Sequence, residues 1–97
     1  MKQIELKQLQ GDGGLVIDYR SVLTDVIKHH PQGITLDEMG KALRVLNTLK
    51  TAGDVLKLED ADWETLVGYL RAYPFGIVDE KLLELKADVE NAEEIKL

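Results

Sequence analysis

The sequence predicts an α+β fold, mostly helical, with about four helices and a small antiparallel sheet at the N-terminal end. Three observations carry that prediction. Four segments repeat apolar residues at helical spacing, each bounded by a capping residue or a breaker. Two short β-prone runs flank Gly11-Asp12-Gly13-Gly14, three glycines in four positions, which suits a hairpin turn. Finally, 97 residues without a cysteine suffice for one modest hydrophobic core that needs neither disulfides nor a structural metal. We read residues 1–97 as a single domain: a β-hairpin over 1–18, two amphipathic helices over 19–52 and an acidic helical part over 53–97.

The elements follow in order. Ile4 and Leu6 alternate with polar residues, which predicts a strand over 2–9, with Leu9 off the rhythm. Leu15-Val16-Ile17 predicts its partner over 14–18. A phosphate-cradling loop would need a helix directly after the glycines, and a β-branched run follows instead. Asp18 caps the first helix, whose stripe is Tyr19, Val22, Leu23, Val26, Ile27 and His30. Pro31 and Gly33 stop it, placing His29 and His30 in its last turn, where positive charge suits the dipole. Thr35-Leu36-Asp37-Glu38 is a capping box. It opens a second helix with the stripe Leu36, Met39, Leu43, Leu46 and Leu49, ending before Gly53.

Val55 to Glu59 reads as an extended segment able to pair with the hairpin. Asp60 is the expected cap of a third helix, with Trp63, Leu66, Val67, Leu70 and Tyr73 as its stripe and Pro74-Phe75-Gly76 as its break. Val78 and Asp79 open a fourth. Its Val78, Leu82, Leu85, Val89 and Ala92 have a heptad-like rhythm over only two heptads, enough for a bundle edge or a dimer contact. The expected core is Leu23, Val26, Ile27, Leu36, Leu43, Leu46, Leu49, Trp63, Leu66, Leu70, Leu82 and Leu85.

Composition bounds the function. Eighteen acids against twelve bases leave a net charge of −6, which disfavours broad nonspecific binding to nucleic acid or anionic membrane. Residues 1–53 carry seven Lys/Arg and six Asp/Glu, and residues 54–97 carry five and twelve. The C-terminal half is therefore an acidic body, serving either a basic partner or solubility alone. No apolar run approaches the ~20 residues a bilayer span needs. The first twenty residues lack a signal-peptide layout, so the expectation is a cytoplasmic protein.

No reactive constellation stands out. Ser21, Asp25 and His29 suggest a triad, but eight residues at ~1.5 Å rise put Ser21 and His29 about 12 Å apart along one helix. Asp25 and His29 alone make a weak metal site, since structural zinc takes four ligands. The run Glu59-Asp60-Ala61-Asp62-Trp63-Glu64 starts like a calcium loop, yet Thr65 and Arg71 stand where glycine and glutamate are required. We expect no catalytic residue, no cofactor and no metal. Four of the five aromatics fall within residues 63–75, and Tyr69 and Phe75 lie off the core stripe. With Leu82, Leu85 and Val89 of the fourth helix they form the candidate protein interface.

Two family resemblances bear on this. Gly33-Ile34-Thr35-Leu36-Asp37-Glu38-Met39 resembles the start of the second helix of winged-helix DNA-binding domains. Leu49-Lys50-Thr51-Ala52-Gly53-Asp54-Val55 resembles the end of their recognition helix and the first wing strand. That resemblance covers about a quarter of the chain and implies DNA contacts from Lys41, Arg44 and Lys50. It departs in the middle, where no turn residue interrupts residues 36–52. The layout as a whole resembles small proteins of tailed phages and prophages, in Ile4-Glu5-Leu6-Lys7, Asp18-Tyr19-Arg20, Leu43-Arg44-Val45-Leu46, Leu58-Glu59-Asp60-Ala61-Asp62-Trp63 and Asp88-Val89-Glu90. It implies a small accessory or assembly protein, cytoplasmic in a bacterial host or virion-associated, and carries over no site residue. The expectation is a non-enzymatic, self-associating protein-interaction module with a protein partner and no small-molecule substrate. The alternative is a winged-helix-like transcription regulator.

Overall fold

The computed structural model describes residues 1–96. Its elements are β1 (Lys2–Glu5), β2 (Gln8–Gln10), β3 (Val16–Asp18), α1 (Tyr19–Lys28), α2 (Leu36–Thr51), β4 (Val55–Leu58), α3 (Asp60–Ala72), α4 (Glu80–Glu90) and β5 (Glu93–Glu94). The fold is α+β and mostly helical, with small antiparallel sheets.

The expected strand over 2–9 is two strands in two sheets. β1 sits between β4 and β5, with Ile4 opposite Leu56 and Lys2 opposite Glu94. β2 pairs instead with β3, with Leu9 opposite Ile17. The crossover lies at Leu6 and Lys7: the Leu6 N–H still reaches the Asp54 carbonyl at 2.8 Å, whereas the Lys7 carbonyl accepts from Tyr19 N–H at 3.0 Å. Side chains alternate faces along a strand, so Ile4 and Leu9 cannot face one core within an unbroken strand. Splitting the strand lets both point inward. The β4 segment pairs, as expected, with the first strand of the N-terminal segment, through its β1 half. In the hairpin turn Gly13 and Gly14 adopt φ of 65° and 80°, a region glycine enters without a Cβ clash.

Asp18 caps α1 as expected, accepting from Ser21 N–H at 3.2 Å and from the Ser21 hydroxyl at 2.7 Å. The helix ends at Lys28, earlier than expected, and His29 and His30 lie beyond it. Pro31 disfavours helical geometry at the residue before it. Both imidazoles then fold back onto the helix end: His29 Nδ1–H donates to the Asp25 carbonyl at 3.1 Å and His30 Nε2–H to that of Ile27 at 2.8 Å.

Thr35 caps α2 through Glu38 N–H at 3.2 Å. The Glu38 carboxylate turns to Lys41 and Tyr69 and does not close the box. Ala42, Val45, Leu46 and Leu49 form the buried face of α2. Leu36 is 82% exposed and Leu43 50%, so neither belongs to the core. The full apolar arc of α2 is about 180° wide at ~100° per residue, more than its neighbours cover. At the other end the Arg20 guanidinium donates to the carbonyls of Leu49, Ala52 and Gly53, closing the C-terminus of α2 from a different helix.

α3 begins after Glu59, and Asp60 is its first residue, not its side-chain cap. Asp79 caps α4, accepting from Lys81 N–H at 2.8 Å, so Val78 stands outside the helix and is fully exposed. The other Asp79 oxygen accepts from Asp12 N–H at 3.0 Å, tying the glycine turn to α4. These two bonds, Asp12 first, hold the Asp79 carboxyl below its usual range. One apolar cluster runs through β1, the hairpin, all four helices and β4. Trp63 and Leu82 are only partly buried against it. No helix among the described residues is long and apolar enough to cross a membrane.

Candidate functional site

The ionisable groups that could have formed a reactive centre are occupied structurally. Ser21 donates its hydroxyl to Asp18, and His29 bonds the carbonyl of Asp25, not its carboxylate. Within the acidic run, Asp62 is buried and accepts from Arg44 Nε at 2.7 Å. Among the described residues no three His, Cys, Asp or Glu side chains gather closely enough to hold a metal ion.

What the fold does assemble is a row of aromatic and aliphatic side chains. The loop after α1 and the C-terminal end of α3 enclose a cleft of about 380 Å³, lined by His29, His30, Pro31, Tyr69, Tyr73 and Pro74. His30 meets Tyr69 edge-on with centroids 4.7 Å apart, and Tyr73 meets Phe75 in the same manner at 4.7 Å. Such edge contacts place the positive rim of one ring on the negative face of the other and fix both. The Tyr69 hydroxyl donates to Glu38 Oε2 at 3.1 Å. Burial, and then this bond to an anion, push its pKa up to about 12. Glu38 is held below the usual carboxylate range by Lys41 first and by Tyr69 second.

The cleft shares a lining residue with a hollow on either side. His30 also lines a groove of about 220 Å³ between α1 and α2, walled by Ile27, Ile34, Met39, Leu43 and Leu46. Tyr73 also lines a hollow of about 230 Å³ with Leu15, Val16, Phe75, Ile77 and Leu82. The result is three neighbouring hollows with largely apolar or aromatic walls, reaching from α2 through the aromatic cleft to the hairpin and the start of α4. Clustered apolar surface of this kind marks contact with another macromolecule more often than single exposed leucines do.

Of the interface residues expected from sequence, Tyr69, Phe75 and Leu82 line these hollows. Leu85 and Val89 do not: both are completely buried against the core and offer nothing to a partner. The heptad rhythm of α4 is its packing face toward α3 and β1. Sequence reasoning missed Met39, Leu43, Leu15, Val16 and Ile77, which also line these hollows, and assigned Leu43 to the core. The over-wide apolar arc of α2 was the available signal.

The expected DNA-contact residues do not form one face. α2 is a single helix over Leu36–Thr51, without the turn a winged-helix motif requires. Lys41 and Lys50 are nine residues apart, about 180° around the axis. Lys41 pairs with Glu38 at 3.1 Å and Arg44 with Asp62 at 2.7 Å. Comparison with protein-family models, curated proteins and solved structures found no match to this chain.

Proposed function

We propose that this chain is a non-enzymatic protein-interaction module that self-associates, in an accessory or assembly role. The observation that carries the reading is the set of three linked hollows with largely apolar walls, from Met39 and Leu43 through Tyr69 and Tyr73 to Phe75 and Ile77. A surface of this composition gains free energy by leaving water, at roughly 25 cal/mol per Å² buried. The polar groups beside it are already satisfied within the chain, so they add specificity at the rim and not reactivity. The resemblance to small phage and prophage proteins points the same way, toward assembly in the cytoplasm of a bacterial host or on a particle.

Sedimentation velocity with light scattering, from micromolar to submillimolar protein, tests this. The expected result is a molar mass that rises with concentration. A strict monomer over the whole range would overturn the self-association. Duplex DNA should give no gel shift even at low salt, where phosphate contacts are strongest.

A further inference from the structure

Resting on the interaction reading above, we propose that a second copy of this chain occupies the α1–α2 groove, docking head-to-tail through the exposed line of its α4. The groove floor is apolar, built from Ile27, Ile34, Met39 and Leu43. Lys28 lines the groove, and Lys50 follows Leu43 by seven residues, about two turns along the same side of α2. Neither lysine is in an ion pair among the described residues, in contrast to Lys41 and Arg44 on the same helix. The groove thus presents an apolar trough with one lining cation, Lys28, and a second, Lys50, beyond its end on the same side of α2, both outside any ion pair among the described residues.

The complementary shape is on the chain itself. Glu80, Leu83, Glu84 and Ala87 are all exposed and stand at helical spacing on one side of α4, with Leu83 at 69% exposure. Leu83 and Ala87 make a short apolar ridge, and Glu80 and Glu84 flank it. Among the described residues Glu80 is in no ion pair, and Glu84 has only a long contact of 3.8 Å with Lys81. A leucine ridge edged by carboxylates matches an apolar trough with these two lysines in polarity and in sign.

The two surfaces lie apart. α4 packs on α3 and β1, whereas the groove lies between α1 and α2. A contact joining two different patches is heterologous, so each added copy leaves one free groove and one free ridge. The assembly therefore grows as a ring or a filament and does not stop at a two-fold dimer. The excess of acids in residues 54–97 over the nearly neutral residues 1–53 favours the same head-to-tail order.

The experiment uses two exposed-site variants of the full chain. Leu43→Glu blocks the groove and Leu83→Lys blocks the ridge; both sites face solvent, and circular dichroism confirms that each variant is folded. Sedimentation velocity should show each alone as a monomer, with self-affinity weakened by about tenfold or more. An equimolar mixture should form dimers and stop there, because only one groove and one ridge remain competent. Glu80→Lys with Glu84→Lys should abolish growth, and adding Lys28→Glu with Lys50→Glu in the same chain should restore it. If wild type associates but the mixture stays monomeric, or the variants associate normally, the head-to-tail mode is overturned and the interaction reading stands. If wild type never associates, self-association itself fails and this mode fails with it.

Discussion

Arg20 is the residue whose replacement should reveal how α1 and α2 are coupled. The last carbonyls of a helix have no intrahelical donors and carry the negative end of its dipole. Here the guanidinium of Arg20 meets that end, donating to Leu49, to Ala52 at 2.8 Å and to Gly53 at 2.6 Å. The Leu49 and Ala52 contacts are partly buried and the Gly53 contact is exposed. A hydrogen bond to a charged group contributes about 1.5–3 kcal/mol, and the exposed one much less because water replaces it. Arg20→Met, which keeps the aliphatic stem, should therefore cost about 2–4 kcal/mol. Total stability for a chain of this size is on the order of 5–15 kcal/mol. At ~4–8 °C per kcal/mol, the melting temperature should drop by roughly 8–32 °C. Arg20→Lys should recover part of this, since an ammonium lacks the planar fork that reaches several carbonyls together. Urea unfolding read by Trp63 fluorescence measures both, because the Trp63 indole N–H is fixed on the Val89 carbonyl at 2.8 Å. A wild-type urea midpoint for Arg20→Met would refute the reasoning.

Two further outcomes follow from the same contacts. Gly40 and Gly68 lie within helices with open space around them, so alanine at either should stabilise by about 0.5–1 kcal/mol in urea titrations, whereas Gly11→Ala should destabilise because its Cβ would sit 2.6 Å from Asp79 Oδ2. The pH profile should fall on both sides. Asp79, Glu38, Glu90 and Glu94 all have lowered pKa values, so the unfolded chain binds more protons as pH falls. Their contribution is complete above the unfolded carboxylate range, about pH 4, and is lost below it as pH falls through the folded values. Tyr69 works in the opposite direction: its raised value, about 12, gives stability that is present below about pH 10 and lost as pH rises through the folded value. Urea midpoints across pH should show both declines, and Tyr69→Phe should soften the alkaline one and, through the lost bond to Glu38, the acid one by a smaller amount.

The sequence is most legible where a few adjacent residues decide the structure. Asp18 and Thr35 cap their helices because a short oxygen two or three residues upstream meets a free N–H, and that geometry is local. Gly13 and Gly14 mark a turn because few other residues accept their φ. Strand pairing is different. β1 meets β4 across more than fifty residues, and no feature within Lys2–Glu5 names that partner. The parity change between Ile4 and Leu9 was visible, and it marks the point where one strand becomes two. It could not say which sheet each half would join.

The candidate site is legible in proportion to how local its parts are. Tyr69 and Phe75 stand out because they fall off the periodic stripe of α3, and both line the hollows. Leu85 and Val89 have the same kind of spacing signal, yet α4 uses them for its own packing. Periodicity reports that a face is apolar and is silent on whether the chain's own elements or another molecule will cover it. Arc width adds that information. The apolar positions of α2 span about 180°, while one neighbour-facing stripe requires about 100°. The surplus falls on Leu36, Met39 and Leu43, and these are the side chains left in contact with water. An apolar arc wider than intramolecular packing can cover is a cost in an isolated molecule and a gain in an assembled one. On that ground the proposed interface includes the exposed leucines of α2, and replacing them by polar residues should raise solubility and lower association without lowering the stability of the monomer.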